Sequence, residues 1–391
     1  MTSISCALSR PLLTSGYEAD ESHTIQRCEL SGKLNAIDLN AEEQNIAPRF
    51  YKKQDPFAVL TDIEFKKEFR LTKNMATELI HQLSPMLQEE SRRSALNTKM
   101  KVLVTLHFIA NGSYQQVIGR NIFAAVSQPS VSRSITDITD VLNTRQQLDM
   151  FVKFPRNFQE LRQIQQGFYE KFGLPGIVGC IDCTQVAIVA PHTNDPLYPE
   201  HIYVNRKGYH SINVQLICDV NCRILNVSAQ FPGSTHDAYI WQNSDVNGLL
   251  QELTNRGHTS YLLGDSGYPL RPWLLTPIPN AAPGSAEERY NNTHRRIRAT
   301  IERCNGILKS RFRCMLKHRV LHYLPERAAK IINVCVMMHN FCIDNQLPPP
   351  ELVEDMDDLG MDVVFNEPNL LNNAYLAGRR QQERIVQQHF T

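Results

Sequence analysis

The stretch that decides the fold reads Ile177-Val178-Gly179-Cys180-Ile181-Asp182-Cys183-Thr184. Its apolar and β-branched residues are typical of a buried strand, and one carboxylate lies inside the run. Burying a carboxylate costs free energy unless a cation or several hydrogen-bond donors compensate its charge. Asp182 is therefore the first candidate for a functional residue.

The chain after this stretch alternates between strand and helix patterns. Strands are predicted over 177–190, 209–219 and 223–231, and Asp219-Val220-Asn221-Cys222 predicts a hairpin turn between the last two. A helix is predicted around 237–242, and Tyr261-Leu262-Leu263-Gly264-Asp265 predicts a short buried strand that ends in a second carboxylate. With long helices predicted over 294–316 and 326–345, the order favours an α/β (α+β) sandwich with a mixed sheet. Ligands usually bind at strand ends in such sheets, so Asp265 is a second candidate.

The predicted helix 294–316 carries a third carboxylate, Glu302, at the border of its buried stripe. The stripe is defined by apolar residues at spacings of three and four, namely Ile297, Ile301, Cys304, Leu308, Phe312 and Met315. Glu302 lies on the same side of the helix as Arg298, Asn305 and Lys309, because residues three, four and seven apart share a side. Cations therefore lie above and below this carboxylate.

Asp182, Asp265 and Glu302 together suit phosphodiester cleavage. Such cleavage needs a nucleophilic water and stabilisation of charge on two oxygens, which two divalent ions roughly 4 Å apart supply. Mg²⁺ and Mn²⁺ prefer oxygen ligands. Each acid also has a structural interpretation: Asp265 could cap a turn, Glu302 could pair with Arg298, and Asp182 could bond neighbouring backbone.

Upstream of the sheet, residues 61–145 have a helical pattern. Helices are predicted over 62–69, from an N-cap at Thr72, and over 100–110, where Asn111-Gly112 ends the helix. A last helix begins near Ser130 and exposes Ser132 and Arg133. A tight turn before it predicts a helix-turn-helix with Ser130, Ser132 and Arg133 facing DNA, although a helical bundle with a polar surface explains the pattern as well.

Length and composition predict a chain of several regions. With 391 residues, we expect a disordered extension over 1–45, a helical domain over 46–150, an α/β domain with the three carboxylates over 151–346 and an acidic and polar tail over 347–391. The net charge of +1 is uninformative, but residues 294–330 hold eleven Lys or Arg against two acids. No secretory signal and no bilayer-length apolar run is evident, and ten dilute cysteines fit a reducing compartment, so we expect a soluble intracellular protein without membrane contact.

Six ordered segments carry a resemblance to a known family: 179–184 (Gly-Cys-Ile-Asp-Cys-Thr), 203–208 (Tyr-Val-Asn-Arg-Lys-Gly), 231–237 (Phe-Pro-Gly-Ser-Thr-His-Asp), 263–268 (Leu-Gly-Asp-Ser-Gly-Tyr), 301–303 (Ile-Glu-Arg) and 339–341 (His-Asn-Phe). Over about 61–345 the chain resembles the PIF/Harbinger transposases and the nuclease derived from them. The resemblance implies an RNase H-like fold with a DDE metal triad of Asp182, Asp265 and Glu302, binding Mg²⁺ or Mn²⁺. Many members have Gly and His where this chain has Cys183 and Gln185.

The resemblance also implies how the protein acts in the cell. It implies a separate Myb-like partner that helps to bind DNA and carries the protein into the nucleus, hence a location in nucleus and cytoplasm, and it is compatible with a homodimer. We predict DNA contacts at Asn205, Arg206 and Lys207, and further contacts at Arg298 and Lys309. Phosphate contacts of this kind are independent of DNA sequence and sensitive to salt.

The predicted function is a divalent-metal-dependent DNA endonuclease, with three alternatives left open. A transposase-derived protein could have lost the reaction and serve as a DNA-binding scaffold with the Myb-like partner. His236-Asp237 is a dyad also seen in HD-type phosphohydrolases. The cysteines at 180, 183, 218 and 222 have spacings of a zinc site, although Cys180 and Cys183 on one strand would point to opposite faces. His339, on an apolar helix, is interpreted as a core histidine.

Overall fold

The computed structural model describes residues 54–87, 96–352 and 373–391. The expected disordered extension over 1–45 and residues 353–372 of the expected acidic and polar tail lie outside these ranges. No helix in the described ranges combines the length and apolar character needed to cross a membrane.

Eight helices precede the sheet in the described chain: α1 (Pro56–Val59), α2 (Asp62–Phe69), α3 (Lys73–Leu83), α4 (Thr98–Asn111), α5 (Gln115–Arg120), α6 (Gln128–Leu142), α7 (Arg145–Phe151) and α8 (Phe158–Phe172). Their boundaries follow from capping chemistry. Thr61 and Glu64 form a capping box at the start of α2, and Thr72 caps α3 as predicted. Gly112 ends α4 with a left-handed backbone (φ 62°), which glycine adopts without strain.

The sheet is mixed, as the sequence predicted. Its strands are β1 (Ile177–Ala187), β2 (Ser211–Cys218), β3 (Ile224–Pro232), β4 (Tyr261–Leu263) and β5 (Leu274–Leu275), in the order β3-β2-β1-β4-β5. β1, β2 and β3 pair antiparallel, whereas β4 and β5 extend the other edge in parallel. The predicted hairpin turn at 219–222 is confirmed: the Asp219 amide donates to the Arg223 carbonyl, and Cys222 has φ 64°.

Five helices follow or interrupt these strands: α9 (Asp237–Gln242), α10 (Asp245–Asn255), α11 (Ala286–Arg311), α12 (Pro325–Asp344) and α13 (Asn373–His389). α11 starts before the predicted residue 294, because Ser285 caps it and accepts from the Glu288 amide. α13 lies in the expected acidic and polar tail, and it packs against the sheet domain. Its Ile385 and Val386 are buried, and Gln382 Nε2 donates to the Thr276 carbonyl at 2.6 Å.

Helices cover both faces of the sheet. On one face Cys180 and Leu216 pack with α11 and α12 through Ile297 and Met337. On the other face Val178 and Ile217 pack with α9 and α10, and Trp241 fills that layer. This arrangement agrees with the α/β sandwich predicted from the sequence.

The N-terminal helices share the core of the sheet domain. Phe65, Leu79 and Ile109 belong to the same buried cluster as Ile297 of α11. At Gly112, an added Cβ would lie 2.8 Å from the Cα of Cys314, so the end of α4 lies against the chain after α11. The helix-turn-helix is not shown: residues 121–127 separate α5 from α6, more than the roughly three or four residues of that motif.

Candidate active site

Strand register brings the two candidate aspartates to the same end of the sheet. β1 and β4 are parallel neighbours in which Cys180 pairs with Leu263, and each aspartate lies two residues beyond its paired residue. Paired strands lie about 4.8 Å apart, so Asp182, inside β1, and Asp265, just beyond the end of β4, occupy neighbouring positions on adjacent strands. Gly264 permits the close approach, because an added Cβ would lie 2.9 Å from the Tyr268 ring and 3.2 Å from Ile181.

Asp265 also shapes the turn that follows it. Its Oδ1 accepts a hydrogen bond from the Gly267 amide at 2.9 Å, which is the capping role considered from the sequence. The turn carries Tyr268 back into the protein, where its side chain is 2% exposed. One carboxylate oxygen of Asp265 thus accepts a hydrogen bond from the turn, and this bond holds the backbone of residues 265–267 in place.

Tyr268 is a site residue that the sequence did not single out. Burial raises the pKa of its phenol well above the usual 10, and the charges of Cys183, Asp237, Asp182 and Asp265 add to that shift. Its hydroxyl lies 3.3 Å from Cys183 Sγ. The buried phenol therefore keeps its proton and lies within electrostatic reach of three carboxylates, which places Asp237 in the same neighbourhood.

Arg298, one turn earlier on α11, lies between Glu302 and Asp182 and contacts both. The guanidinium donates to Glu302 Oε1 at 2.5 Å, and its other terminal nitrogen lies 4.0 Å from Asp182 Oδ1. Asp182 and Arg298 are each 18% exposed, whereas Glu302 is 52% exposed. The ion pair predicted as the structural interpretation of Glu302 is thus present, and it links this carboxylate to Asp182.

Asn305 also contacts Asp182. Its Nδ2 donates to Asp182 Oδ2 at 3.3 Å, while its Oδ1 is buried without a hydrogen-bond partner among the described residues. A buried oxygen without a donor is costly, and a bound cation or water would satisfy it. This orphaned oxygen, beside carboxylates that offer only hard oxygen donors, fits Mg²⁺ or Mn²⁺.

The three carboxylates do not form a preassembled ion cage. Within the described ranges, no group of three or more His, Cys, Asp or Glu side chains is placed to hold a metal ion. Asp182 and Asp265 are joined by strand register, and Glu302 is joined to Asp182 by a cationic side chain. The predicted triad therefore stays a prediction about the metal-bound state.

Two of the predicted DNA contacts differ from expectation because their side chains are used inside the protein. Asn205 is 5% exposed: its Nδ2 donates to Ser211 Oγ at 2.8 Å, and its Oδ1 accepts from the Lys207 amide at 2.9 Å. Lys309 is also 5% exposed, and its Nζ donates to the Gln185 carbonyl at 3.3 Å. Asn205 thus shapes the 203–208 loop, and Lys309 ties α11 to β1.

The other predicted DNA contacts lie at or near the surface. Arg206 and Lys207 are exposed on the 203–208 loop, and Arg133 is exposed near the start of α6. Ser132 is half-buried beside it. Arg298 is mostly buried and belongs to the carboxylate site. Its guanidinium forms the ion pairs described above in place of the predicted contact with DNA.

The rival motifs have structural explanations. His236 is the N-cap of α9, and Asp237 Oδ1 accepts a hydrogen bond from Asn213 Nδ2 at 2.8 Å. Cys180 and Cys183 pack into opposite layers, as their strand positions predicted, so they cannot share one zinc ion. His339 is fully buried, with Nε2 2.8 Å from the Cys222 carbonyl, which agrees with its interpretation as a core histidine.

Sequence comparison defines the class to which this fold and site belong. Residues 181–340, which include Asp182, Asp265 and Glu302, match the profile of the family described as DDE superfamily endonuclease. The chain belongs to the Harbinger family of DDE transposase relatives, as the six ordered segments predicted.

The relatives define the family more narrowly. The chain is 33% identical over 299 residues to "Putative nuclease HARBI1" of Homo sapiens, an alignment that covers 73% of this chain and 82% of that protein. For the Xenopus laevis protein of the same name the identity is 32% over 319 residues, covering 80% and 86%. "Protein ALP1-like" of Arabidopsis thaliana is 26% identical over 268 residues, covering 65% and 63%. No solved structure matches the chain.

Proposed function

We propose that this protein is a transposase-derived endonuclease that hydrolyses DNA phosphodiester bonds with a divalent metal, Mg²⁺ or Mn²⁺, held by Asp182, Asp265 and Glu302. One observation carries the proposal: the parallel register of β1 and β4 sets two aspartates side by side, and Arg298 links the first of them to Glu302. The bound metal would supply an activated water and stabilise charge on the attacking and leaving oxygens.

The chain's own residues prepare the site for a cation. Arg298 offsets the repulsion between Asp182 and Glu302, which would otherwise disfavour two ionised carboxylates near each other. Asn305 orients Asp182 through its Nδ2. Tyr268 keeps the proton on its hydroxyl, because burial and the neighbouring carboxylates raise its pKa, and so adds no negative charge to the site.

DNA would bind to exposed cations of the protein surface. Arg206 and Lys207 on the 203–208 loop and Arg133 on α6 offer charged donors to phosphates. We also propose, from the family resemblance, that a Myb-like partner helps to position the DNA, that the protein occurs in nucleus and cytoplasm, and that it forms homodimers.

The test is cleavage of supercoiled plasmid by the purified chain with Mn²⁺ or Mg²⁺. Asp182→Asn, Asp265→Asn and Glu302→Gln should each abolish cleavage and weaken Mn²⁺ binding measured by calorimetry, while the circular dichroism spectrum stays unchanged. Glu252→Gln, on an exposed helical i,i+4 pair with Arg256, is the matched control and should cut like the wild type. Loss of cleavage in the control as well would contradict the assignment.

The second candidate is a DNA-binding scaffold that has lost the reaction. The ion pairs of Arg298 favour it, because a cation already compensates Asp182 and Glu302 without a metal. Wild-type protein that neither binds Mn²⁺ nor cuts DNA with the Myb-like partner present, yet still binds DNA, would establish the scaffold and reject the nuclease.

A further inference from the structure

A groove of about 680 Å³ lies between the α4–α5 corner and residues 318–323, which follow α11. We call it the 114–323 groove. Besides the rings of Phe108 and Tyr323, its walls carry an exposed aromatic ring, amides, imidazoles and a guanidinium, supplied by Tyr114, Gln116, Gln128, His318, Arg319 and His322. Within the described ranges, no Asp or Glu lines this groove.

The side chains in this groove are displayed to solvent. The Tyr114 ring is 67% exposed and lies tilted against His322, with 5.2 Å between the ring centroids. Gln116, Gln128 and Arg319 are exposed around it. An exposed aromatic ring contributes little to the core, so this arrangement points to a ligand with flat faces.

The walls of the groove are held firmly beneath these exposed groups. Gln115 Nε2 donates to the Tyr323 hydroxyl at 2.7 Å, and Gln128 Nε2 donates to Gln115 Oε1 at 2.6 Å. The ring of Tyr323 packs edge-on against Phe108 at 5.8 Å. These contacts join the helical region to the segment after α11, so the groove keeps its shape before a ligand binds.

We propose that the 114–323 groove binds an unpaired stretch of a DNA strand next to the cleavage site. Bases stack on exposed aromatic rings irrespective of sequence, amides bond base edges, and a guanidinium pairs with phosphate. Bases in an intact duplex are already stacked on each other, so their faces cannot reach Tyr114. The volume falls within the range of sites that enclose small ligands, and the absence of lining acids suits a polyanion.

The position of the groove relative to Asp182 supports this assignment, which rests on the proposed nuclease function. Leu321 hydrogen-bonds to Ala187 and Val189 and so extends the end of β1. Ala187 is five residues beyond Asp182 on that strand, which corresponds to about 17 Å at roughly 3.3 Å per residue. A stacked strand covers that distance in about five nucleotides. The groove therefore holds the strand a few nucleotides from the scissile bond.

The test measures binding without metal, so that it does not depend on cleavage. Fluorescence anisotropy of the full-length chain in EDTA compares a labelled oligothymidine 12-mer with a 12-base-pair hairpin duplex. Tyr114→Leu and Arg319→Gln should each weaken oligothymidine binding about tenfold and change duplex binding less than twofold. Tyr169→Leu and Arg256→Gln are matched controls, since both side chains are exposed elsewhere, and they should bind like the wild type.

A second measurement follows the fluorescence of a tryptophan introduced at position 114. Trp241 and Trp273 are 1% and 7% exposed, so in Tyr114→Trp the new indole alone is open to a base. Oligothymidine should quench its fluorescence while affinity stays at the wild-type level. Unchanged oligothymidine affinity in Tyr114→Leu would overturn the proposal. The proposal would also be overturned if these substitutions weakened duplex and oligothymidine binding equally. It would be overturned as well if they abolished binding of a protein partner and left the affinity for both oligonucleotides unchanged.

Discussion

Two buried histidines on the helices behind the site should make the fold sensitive to acid. Burial lowers the pKa of His294 and of His339 from 6.5 to about 4. Their Nε2 atoms lie 3.2 Å and 2.8 Å from the carbonyl oxygens of Leu275 and Cys222, and their Nδ1 atoms are buried without a partner among the described residues. A second proton would therefore have no acceptor.

The direction of the pH effect on stability follows from the number of protons bound by the folded and the unfolded chain. Between pH 6.5 and 4 the unfolded chain binds a proton at each histidine and the folded chain does not, so acid favours unfolding. The stability is fully present above pH 6.5 and is lost as the pH falls towards 4. With a pKa of 6.5 in the unfolded chain and about 4 in the folded chain, each histidine lowers the free energy of unfolding at pH 5 by about 2 kcal/mol relative to its value at pH 8. The two histidines together lower it by about 4 kcal/mol.

Urea denaturation at pH 8 and pH 5 measures this quantity. His294→Gln and His339→Gln keep a side-chain donor but remove the titrating ring, so each should shrink the difference between the two pH values by about 2 kcal/mol. His81→Gln, exposed on α3, is the control and should leave the difference unchanged. A double variant with the wild-type difference would refute the reasoning. Because His294 ties α11 to β5, we also expect Glu302 to lose its position as the pH falls.

Three further predictions concern the surface, the core and the C-terminal helix. Arg206→Gln with Lys207→Gln should lower the slope of log affinity for duplex DNA against log salt by about 0.9 for each phosphate that the variant no longer neutralises, and an unchanged slope would place the DNA elsewhere. Asn340 is fully buried and makes three hydrogen bonds to the backbone of Phe151 and Ile224, so Asn340→Ala should lower the free energy of unfolding in urea by about 3 kcal/mol; a decrease no larger than that of exposed Asn255→Ala would count against this. Removing α13 uncovers buried apolar residues and should lower the thermal midpoint, which calorimetry would show.

The spacing of apolar residues and the helix-capping residues predicted most of the helices and strands. The strand over 177–184 was evident because β-branched residues cluster there, and Thr61, Thr72 and Gly112 marked helix ends by local chemistry. β5 has only two residues, too few to show an alternation. Its existence depends on the pairing of Leu274 with Leu262, a tertiary contact that no local pattern encodes.

The placement of the two aspartates on neighbouring strands was easier to predict than the exposure of the proposed DNA contacts. Asp182 and Asp265 were found because each lies within or at the end of an apolar run, and parallel strands bring such positions together. Helical spacing set Lys309 on the side of Glu302, but could not show that this side meets the Gln185 carbonyl. Asn205 belongs to a turn with Gly208 (φ 77°), and bonding of an Asn side chain to nearby backbone is a local signal that could have revealed its structural role.

The core shared by the N-terminal helices and the sheet has a mechanical consequence. With Gly112 packed on the backbone at Cys314, the surface of α6 and the carboxylate site are held as one stiff body that cannot pivot between them. A duplex that touched both would have to match the fixed spacing between them, and would bend wherever its straight form does not fit. Bending is easiest at pyrimidine–purine steps, so the elasticity of the DNA itself would select where this protein settles.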